Sequence, residues 1–441
     1  MNDKTDIEEN KKNKLYTIIK ILIIIFSIII IGLIVGIIIL SVQKKTNDKE
    51  EKDSQDSQDS QDIKLPEQVQ LSDQLAGKAG YLEPWYDLYG NKTINISYAQ
   101  NDLIPNSFKE GGENYKDEIG NVNEGKDYHK NERNVYDLYI PYSSLKRKNN
   151  HNGIILMIHG GSWIEGKKED VESFASRYAK QGYITATIGY TVLSDPYTEY
   201  NIFRILDEIT ACLKSIKEEL NIQGFDVSKL ELAIGGVSAG SHISLLYGYT
   251  YKNDIIPLKF LINVVGPISL EPQYWYKPAV NNDTLESIED CSVIENAKQN
   301  NKLAKIFDNE FVWAYLMNLF IGKKYSEFEI LGMISNGEIN TNNQKYKDML
   351  KIAENAFPIK LVSNNPIPLL CEYCGNDSLV GIAQYCHLKE IYNQLNKEID
   401  FVYMRYSGHE VYHYDTEQGI TAMKEMNYKI LQFAKSHFTS D

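Results

Sequence analysis

A serine between two glycines is the strongest chemical signal in this sequence. The segment Gly-Val-Ser-Ala-Gly at residues 236–240 follows an apolar run that predicts a strand, and the residues after it predict a helix. A serine on such a tight turn presents its hydroxyl at the carboxyl edge of a sheet, and flanking glycines avoid the clashes that side chains would cause there. This setting makes Ser238 the candidate nucleophile.

A glycine-rich loop lies upstream, at the end of another predicted strand. The apolar residues 154–158 lead into His-Gly-Gly-Ser-Trp at residues 159–163. Acyl transfer concentrates negative charge on one oxygen of a tetrahedral intermediate, and backbone N–H groups of such a loop can point at that oxygen. Gly160 and Gly161 are therefore candidate oxyanion-hole donors, with the amide of Ala239 as their partner. A loop whose glycines serve only a turn is the alternative interpretation.

A nucleophilic serine needs a base, and the base needs an acid to orient it. Asp377 follows a predicted strand at residues 367–373, and His409 follows one at residues 401–406. The interval between them is long enough for one helix and one strand, so consecutive β–α units bring both loops to the same edge of the sheet. The sequence therefore predicts a catalytic triad of Ser238, Asp377 and His409, in that chain order.

Four other side chains are candidates for a catalytic or metal-binding role, and we predict that none of them has a primary one. His413 is a fallback base because it lies four residues after His409. His242 lies one helical turn after Ser238, where its direction along the helix favours a structural role. Cys371 and Cys374 form a Cys-x-x-Cys pair without a second pair or a histidine cluster, so we predict core thiols and no metal site.

The elements that must position these residues alternate between strands and helices. Short apolar runs predict strands at residues 135–141, 154–158, 183–190, 230–235, 260–265, 367–373 and 401–406. Longer amphipathic runs predict helices at residues 169–181, 202–220, 239–251, 381–397 and 416–437. Strand and helix in alternation predict a parallel sheet that is covered by helices on both faces.

Two segments break the alternation. Residues 268–365 have helical and loop character without a convincing strand, and connections of this length are usually functional lids or inserted subdomains. A surface embellishment far from any substrate is the alternative. Residues 90–134 are rich in Asn, Asp, Glu, Gly and Tyr, and we predict irregular structure for them.

These motifs resemble the α/β-hydrolase superfamily, and within it the hormone-sensitive-lipase-like and kynurenine-formamidase-like carboxylesterases. The resemblance covers roughly residues 135–437. It implies an α/β-hydrolase fold, with a mostly parallel sheet of about eight strands, flanking helices and a helical lid insertion. It also implies Ser-His-Asp catalysis without a metal or an organic cofactor, on ester or amide substrates of modest size.

The sequence departs from the pattern of these relatives at two positions. Ser162 stands where many members have a third glycine, which leaves the number of oxyanion donors open. Val237 precedes the candidate nucleophile where many lipase-like members have an acidic residue. The second departure favours the broader esterase group.

We therefore expect a membrane-anchored serine carboxylesterase that hydrolyses small or carbohydrate- or lipid-linked carboxylic esters. An amidase or exopeptidase with the same triad is an alternative. A non-catalytic cell-surface binding module on a hydrolase fold is another, because fold does not determine function. A binding module would usually have lost a member of the triad, and this sequence has all three. A purely structural anchor protein is less consistent with intact catalytic loops.

Charge and cysteine content exclude other classes of protein. The net charge of -14 opposes polyanions, and no run of Lys and Arg is interleaved with aromatic residues, so we expect no nucleic-acid partner. The 5 cysteines are too few and too irregularly spaced for a disulfide framework in 441 residues, and at least one must be unpaired. The expected partners are an ester substrate and a lipid bilayer, and the sequence does not indicate an oligomeric state.

The amino-terminal residues differ in composition from the rest. Residues 21–40 carry no charge and are almost entirely Ile, Leu, Val and Gly, and a helix of that length spans roughly the 30 Å hydrocarbon core of a bilayer. We predict a cytoplasmic tail at residues 1–14, a transmembrane helix at 15–42, a disordered acidic linker at 43–65 and the hydrolase domain at 66–441. A cleaved signal peptide is the main alternative, but its apolar region would be shorter.

Lysines flank the predicted span on both sides, so they favour an inside amino terminus only weakly. The acidic Asp-Ser-Gln repeat that follows resembles a solvated tether, which favours a single-pass protein with its catalytic domain outside the cytoplasmic membrane. Protease added to intact cells should therefore release this domain, while a cytoplasmic marker stays intact. Full protection of the domain would establish the reverse topology.

Overall fold

The computed structural model describes most of the chain after residue 134. The described residues are 85–86, 94–95, 135–179, 181–193, 201–250, 255–271, 274–278, 291, 303–305, 310–335, 337–375, 377–404, 407–409, 411 and 417–439. All of them belong to one unit, Glu67–Asp441. The predicted tail, transmembrane helix and linker lie outside the described residues. Among the described residues, no helix is both long and apolar enough to cross a membrane.

Nine strands of the described residues form the central sheet. Two are short, β1 (Trp85–Tyr86) and β2 (Ile94–Asn95). The other seven are β3 (Val135–Pro141), β4 (Asn152–Ile158), β5 (Ile184–Gly189), β6 (Leu230–Val237), β7 (Leu258–Val264), β12 (Leu369–Cys374) and β13 (Ile399–Met404). These seven correspond to the seven predicted strands, with ends that differ by a few residues.

The sheet is mostly parallel, as predicted, but one long strand runs the other way. The spatial order is β1-β3-β5-β4-β6-β7-β12-β13, and β2 also pairs with β3. Strands β5, β4, β6, β7, β12 and β13 are parallel, whereas β3 is antiparallel to β5. The alternation of strands and helices did not indicate the antiparallel direction of β3. Only residues 142–151 connect β3 to β4, which is shorter than a parallel crossover requires.

Helices cover both faces of the sheet. They are α1 (Tyr142–Lys146), α2 (Glu172–Ala179), α3 (Ile202–Ile222), α4 (Ala239–Thr250), α9 (Ala383–Gln394) and α10 (Glu417–His437). Asn201 caps the start of α3, and its side chain accepts hydrogen bonds from the backbone N–H groups of Phe203 and Arg204. The five predicted helices are all present, and α2 is preceded by a 3-10 turn at Lys168–Val171.

Two large apolar clusters, one on each face of the sheet, form most of the core of the described residues. Alternate residues of β4 show the division, because Leu156 belongs to one cluster and Met157 to the other. The larger cluster includes α3, α4, α9 and the helices of residues 310–361, and the smaller one includes α2 and α10. Both faces of the sheet are therefore buried against apolar side chains, as in other α/β sheets that are covered by helices.

The insertion at residues 268–365 contains helices and also short strands. Its helices are α5 (Glu310–Phe320), α6 (Glu327–Leu331), α7 (Gln344–Ala353) and α8 (Pro358–Leu361). Its strands are β8 (Tyr276–Pro278), β9 (Leu303–Lys305), β10 (Ile334–Ser335) and β11 (Glu338–Ile339). The expectation of an insertion without strands is wrong, because pairs of two or three residues are too short to show the alternation that predicts a strand. Residues 90–134 were expected to be irregular, and β2, which lies within them, is likewise too short to be predicted from alternation.

One disulfide joins the insertion to the sheet-flanking helix α9. Cys291 of the insertion is bonded to Cys386, which lies 95 residues later in the chain. The other three cysteines, Cys212, Cys371 and Cys374, are free and buried. The expected absence of a disulfide framework thus coexists with a single long-range cross-link, and Cys371 and Cys374 are core thiols as predicted.

Glu372 is a buried carboxyl in the middle of β12. Glu372 is only 2% exposed, and neither of its carboxyl oxygens has a hydrogen-bond partner among the described residues. Burial raises the pKa of the Glu372 carboxyl well above its usual value of 4.5. Between those two pKa values the folded protein holds a proton that the unfolded chain has released, so this group makes the protein less stable as the pH rises, by about 1.4 kcal/mol per pH unit.

Replacing Glu372 by Gln should remove this pH dependence. The free energy of unfolding of Glu372→Gln relative to the wild type should therefore increase as the pH rises above the ordinary carboxyl pKa of 4.5, as measured by denaturant titration at each pH. Glu390→Gln, at an exposed position on α9, is the matched control for the same chemical change. A difference between Glu372→Gln and wild type that does not vary with pH would contradict the assignment.

Candidate active site

Ser238 lies on a sharp turn between β6 and α4. Its φ angle is 55°, in the left-handed region that residues with a side chain rarely adopt. A Cβ atom on Gly240 would overlap the carbonyl oxygen of Ile158 at the end of β4, and one on Gly236 would overlap the backbone of Gly240. The backbone N–H of Ser238 donates to the carbonyl of Val264 over 2.8 Å. Both glycines are therefore required by close backbone contacts that fix the turn.

The structure brings the three predicted triad residues together. His409 Nε2 lies 2.8 Å from Ser238 Oγ, and His409 Nδ1 lies 2.8 Å from Asp377 Oδ2. Because an ionised carboxylate only accepts hydrogen bonds, Nδ1 carries the proton toward Asp377 and Nε2 is left to accept one from the Ser238 hydroxyl. The imidazole thus bridges the hydroxyl and the carboxylate.

Asp377 is held by its own loop. Its side chain is fully buried, and its Oδ1 accepts hydrogen bonds from the backbone N–H groups of Leu379 and Val380, over 2.7 and 2.8 Å. Such a turn is common for aspartate, because the side chain can bond the backbone two or three residues onward. Oδ2 is consequently oriented toward His409, whose side chain is 16% exposed and so remains open to solvent.

The glycine-rich loop approaches the serine turn closely. A Cβ atom on Gly160 would lie 2.9 Å from the carbonyl oxygen of Val237 and 3.2 Å from Ser238 Cβ. Gly161 has a φ angle of 105°, and a Cβ there would overlap the carbonyl oxygen of Glu165. Among the described residues, no acceptor bonds the N–H groups of Gly160, Gly161 or Ala239. These three N–H groups were predicted as oxyanion donors, and of the two glycines it is Gly160 that abuts Ser238.

Two stacked rings, those of His159 and Tyr190, contact the glycine-rich loop. The imidazole of His159 stacks on Tyr190 with ring centroids 4.2 Å apart, and its Nδ1 donates to the carbonyl of Gly160 over 2.8 Å. The Tyr190 hydroxyl also donates to the carbonyl oxygens of His159 and Gly160. The carbonyl oxygens of His159 and Gly160 are thus held by side chains of the protein interior.

His242 is not a base for Ser238. Its Nδ1 accepts a hydrogen bond from Trp163 Nε1 over 3.2 Å, and its Nε2 donates to the carbonyl of Ala356 over 2.8 Å. Complete burial lowers the pKa of His242 to about 3, so the ring is neutral at physiological pH. The predicted structural role of His242 agrees with these contacts. The fallback base His413 lies outside the described residues.

The insertion reaches the helix that follows the serine. The ring of Phe320 packs edge-on against Trp163 and tilted against His242, with ring centroids 5.0 and 5.2 Å apart. The carbonyl of Ala356 belongs to the same insertion and bonds His242. The insertion is therefore not a remote embellishment, and its role as a lid stays a prediction.

Buried polar side chains that the sequence analysis did not single out hold the neighbouring turn after β7. Asn263 accepts from the N–H of Gly266 and donates to the Tyr373 hydroxyl, each over 3.0 Å, and Tyr373 donates to the Gly266 carbonyl over 2.6 Å. Ser241 accepts from the N–H of Val264 over 2.8 Å. The sequence does contain a signal for this network, which is Asn263 inside an otherwise apolar strand. A buried amide there needs hydrogen-bond partners nearby.

No cluster of three or more His, Cys, Asp or Glu side chains that could hold a metal ion occurs in the part of the chain that the structure describes. The site is instead a hydroxyl, an imidazole and a carboxylate in series, with free backbone N–H groups beside the hydroxyl. In such a series the imidazole can remove the hydroxyl proton as the oxygen attacks an electrophile, and the carboxylate stabilises the resulting cation.

Comparison with known proteins agrees with this geometry. A model of the BD-FAE family matches residues 136–392, which is more than half of the chain. The chain belongs to the BD-FAE family. Together with the sheet described above, this match confirms the predicted resemblance to α/β-hydrolase carboxylesterases. The matched residues include Ser238, Asp377 and the glycine-rich loop, whereas His409 lies beyond their end.

One curated protein is similar to a part of this BD-FAE member. Esterase LipC of Mycobacterium tuberculosis (strain ATCC 25618 / H37Rv) is 32% identical over 103 residues, which is 23% of this chain and 24% of LipC. The chain thus matches about a quarter of the length of that relative.

Solved structures align at lower identity. An inhibited esterase B from Lactobacillus rhamnosis aligns with a TM-score of 0.43 and 14% identity, over 69% of this chain and 84% of that one. The truncated form of a carbohydrate esterase from gut microbiota aligns with a TM-score of 0.43 and 15% identity, over 68% and 91% of the two chains. Neither alignment bears on the substrate of this BD-FAE member.

Replacing Asp377 by Asn tests whether the hydrogen-bonded series works as a unit. An amide at this position favours the wrong tautomer of His409, so the reaction of the protein with a fluorophosphonate should slow by roughly 10³- to 10⁴-fold. The measurement is the rate of covalent labelling, followed by intact mass. Asp400→Asn, at a half-exposed position on β13, makes the same change away from the site and should label at the wild-type rate. Equal labelling of Asp377→Asn and wild type would contradict the assignment.

Proposed function

We propose that this BD-FAE member is a serine carboxylic ester hydrolase with Ser238 as its nucleophile. The observation that carries the proposal is the position of His409, which lies 2.8 Å from both the Ser238 hydroxyl and the Asp377 carboxylate. These are the distances that a general base needs to accept a proton from the nucleophile while an acid orients it. The left-handed turn at Ser238 supports the same role, because it lifts the hydroxyl to the edge of the sheet.

The reaction proceeds in two steps through an acyl-enzyme. In the first step Ser238 Oγ attacks the ester carbonyl carbon while His409 Nε2 takes the hydroxyl proton. The tetrahedral intermediate then collapses, the C–O bond to the alcohol breaks, and His409 returns the proton to the departing alcohol. In the second step His409 deprotonates a water molecule that attacks the acyl carbon, and the carboxylic acid leaves as Ser238 regains its proton.

Backbone N–H groups stabilise the oxyanion of each intermediate. The Ala239 N–H lies at the start of α4, where the helix dipole also favours negative charge. Gly160 and Gly161 supply the opposite side, because their loop abuts the serine turn. Loss of one such donor typically costs about 2.7–4 kcal/mol of transition-state stabilisation. Asp377 keeps the tautomer of His409 fixed and stabilises its cation in both steps.

We infer that the substrate is a carboxylic ester of modest size, including esters linked to a carbohydrate or a lipid. Support comes from the esterase name of LipC and from the insertion, which lies against the helix that follows Ser238. Insertions at this place commonly form a cover over a substrate pocket.

We further propose that the domain is tethered to the outer side of the cytoplasmic membrane by the apolar residues 21–40. The Cys291–Cys386 disulfide supports this placement independently of the charge pattern, because disulfides persist in oxidising compartments and are rare in the cytosol. The substrate would then be an ester that reaches the cell from outside.

Replacing Ser238 by Ala tests the proposed activity. The wild-type protein should hydrolyse a p-nitrophenyl short-chain ester, and Ser238→Ala should lose at least about 10⁴-fold in kcat, because the nucleophile is absent. Ser228→Ala, at an exposed position in a surface turn, is the matched control and should retain full activity. Matched p-nitroanilide substrates, tested alongside, distinguish an esterase from an amidase. Undiminished ester hydrolysis by Ser238→Ala would contradict the proposal.

A further inference from the structure

We infer that His242 is a positioning residue for the oxyanion loop, which it holds through the indole N–H of Trp163. This inference rests on the proposed function, because it concerns the loop that carries Gly160 and Gly161. Both ring nitrogens of His242 bond groups other than Ser238, so His242 is not part of the triad. Its effect on the reaction would be exerted entirely through the position of the loop backbone.

The backbone of the loop adopts an unusual conformation that needs outside support. Three consecutive residues have positive φ angles, 105° at Gly161, 51° at Ser162 and 63° at Trp163. A residue with a side chain in this region costs of order 1–3 kcal/mol, and two such residues in a row persist only where their surroundings fix them. Glycine would relieve this strain at residue 162, but the chain has serine there.

Trp163 supplies that support at the end of the loop. Its carbonyl accepts a hydrogen bond from the N–H of Leu193 over 2.7 Å, and its indole N–H donates to His242 Nδ1 over 3.2 Å. The indole is 3% exposed and packs edge-on against both His242 and Phe320. Because the indole is buried, its N–H needs a hydrogen-bond acceptor within the protein, and His242 Nδ1 accepts this bond.

His242 connects this loop to two other parts of the site. It lies on α4, one helical turn after Ser238, so the loop is tied to the helix that follows the nucleophile. Its second nitrogen donates to the carbonyl of Ala356 in the insertion over 2.8 Å. A neutral imidazole is the side chain that accepts at one end and donates at the other, in a fixed geometry. The two nitrogens therefore have separable roles, with Nδ1 on the oxyanion loop and Nε2 on the insertion.

Two amide substitutions separate these roles. In His242→Asn the amide oxygen stands near the place of Nδ1, so the bond from Trp163 is retained and the bond to Ala356 is lost. In His242→Gln the amide nitrogen stands near the place of Nε2, so the bond to Ala356 is retained and the bond from the Trp163 N–H is lost. Both variants are neutral, and both lose one of two buried hydrogen bonds. A purely structural role would therefore affect them alike.

The experiment measures kcat and KM of both variants on a p-nitrophenyl ester, with active sites counted by a fluorophosphonate and thermal unfolding recorded separately. We expect His242→Gln to lose about 10- to 100-fold in kcat with little change in KM, which is less than the ~10²–10³ that removal of a whole oxyanion donor costs. We expect His242→Asn to keep a kcat close to that of the wild type. A trifluoromethyl ketone, whose adduct places an oxyanion in the same hole, should bind more weakly to His242→Gln by the same factor.

Trp163→Phe completes the test and keeps an aromatic ring at the site. It lacks the N–H, so it should show the same loss of kcat as His242→Gln, and the difference between the Asn and Gln variants should disappear in the Trp163→Phe background. Equal activities of the two amide variants, a greater loss in His242→Asn, or full activity of Trp163→Phe would each overturn the inference. A wild-type protein without ester hydrolysis would instead overturn the proposed function, and this inference with it.

Discussion

The left-handed backbone turn at Ser238 is the constraint on which the rest of the site depends. A strand gives way to a helix within one residue there, and this is possible only because Gly236 and Gly240 allow backbone segments to touch, with Gly240 against the end of β4. The consequence is that the Ser238 hydroxyl stands at the carboxyl edge of the sheet, beside the first free N–H groups of α4. Every other functional group has to be brought to this point by the strands on either side.

The surrounding structure fixes the turn from two directions. On one side, Asn263, Ser241 and Tyr373 satisfy the backbone after β7 with buried hydrogen bonds, so the adjacent strand end cannot shift. On the other side, the glycine-rich loop is held by the stacking of His159 on Tyr190 and is bonded through Trp163 to the helix after the serine. Buried polar groups of this kind specify one arrangement, because any displacement leaves a donor or an acceptor unpaired. The geometry of the site is thus set by polar contacts inside an otherwise apolar core.

The sequence was sufficient to predict the strands and helices that carry the site, because apolar periodicity and Gly-x-Ser-x-Gly are local signals. It also led to Asp377 and His409, since loops after parallel strands meet at one edge of a sheet. Three features were not predictable in this way. The antiparallel direction of β3 depends on the length of its connection to β4, the Cys291–Cys386 pair joins residues 95 positions apart, and the two bonds of His242 depend on where the insertion folds back. Each of these is set by long-range packing, which leaves no pattern in a single stretch of sequence.

Locating a covalent adduct is the most direct test of the central claim, which is that the Ser238 hydroxyl is activated by His409. The wild-type protein would be reacted with a fluorophosphonate and digested, and the modified peptide would be sequenced by mass spectrometry. The account predicts one phosphonyl group per chain, on Ser238. An unmodified Ser238, or a phosphonyl group on a different residue, would contradict it.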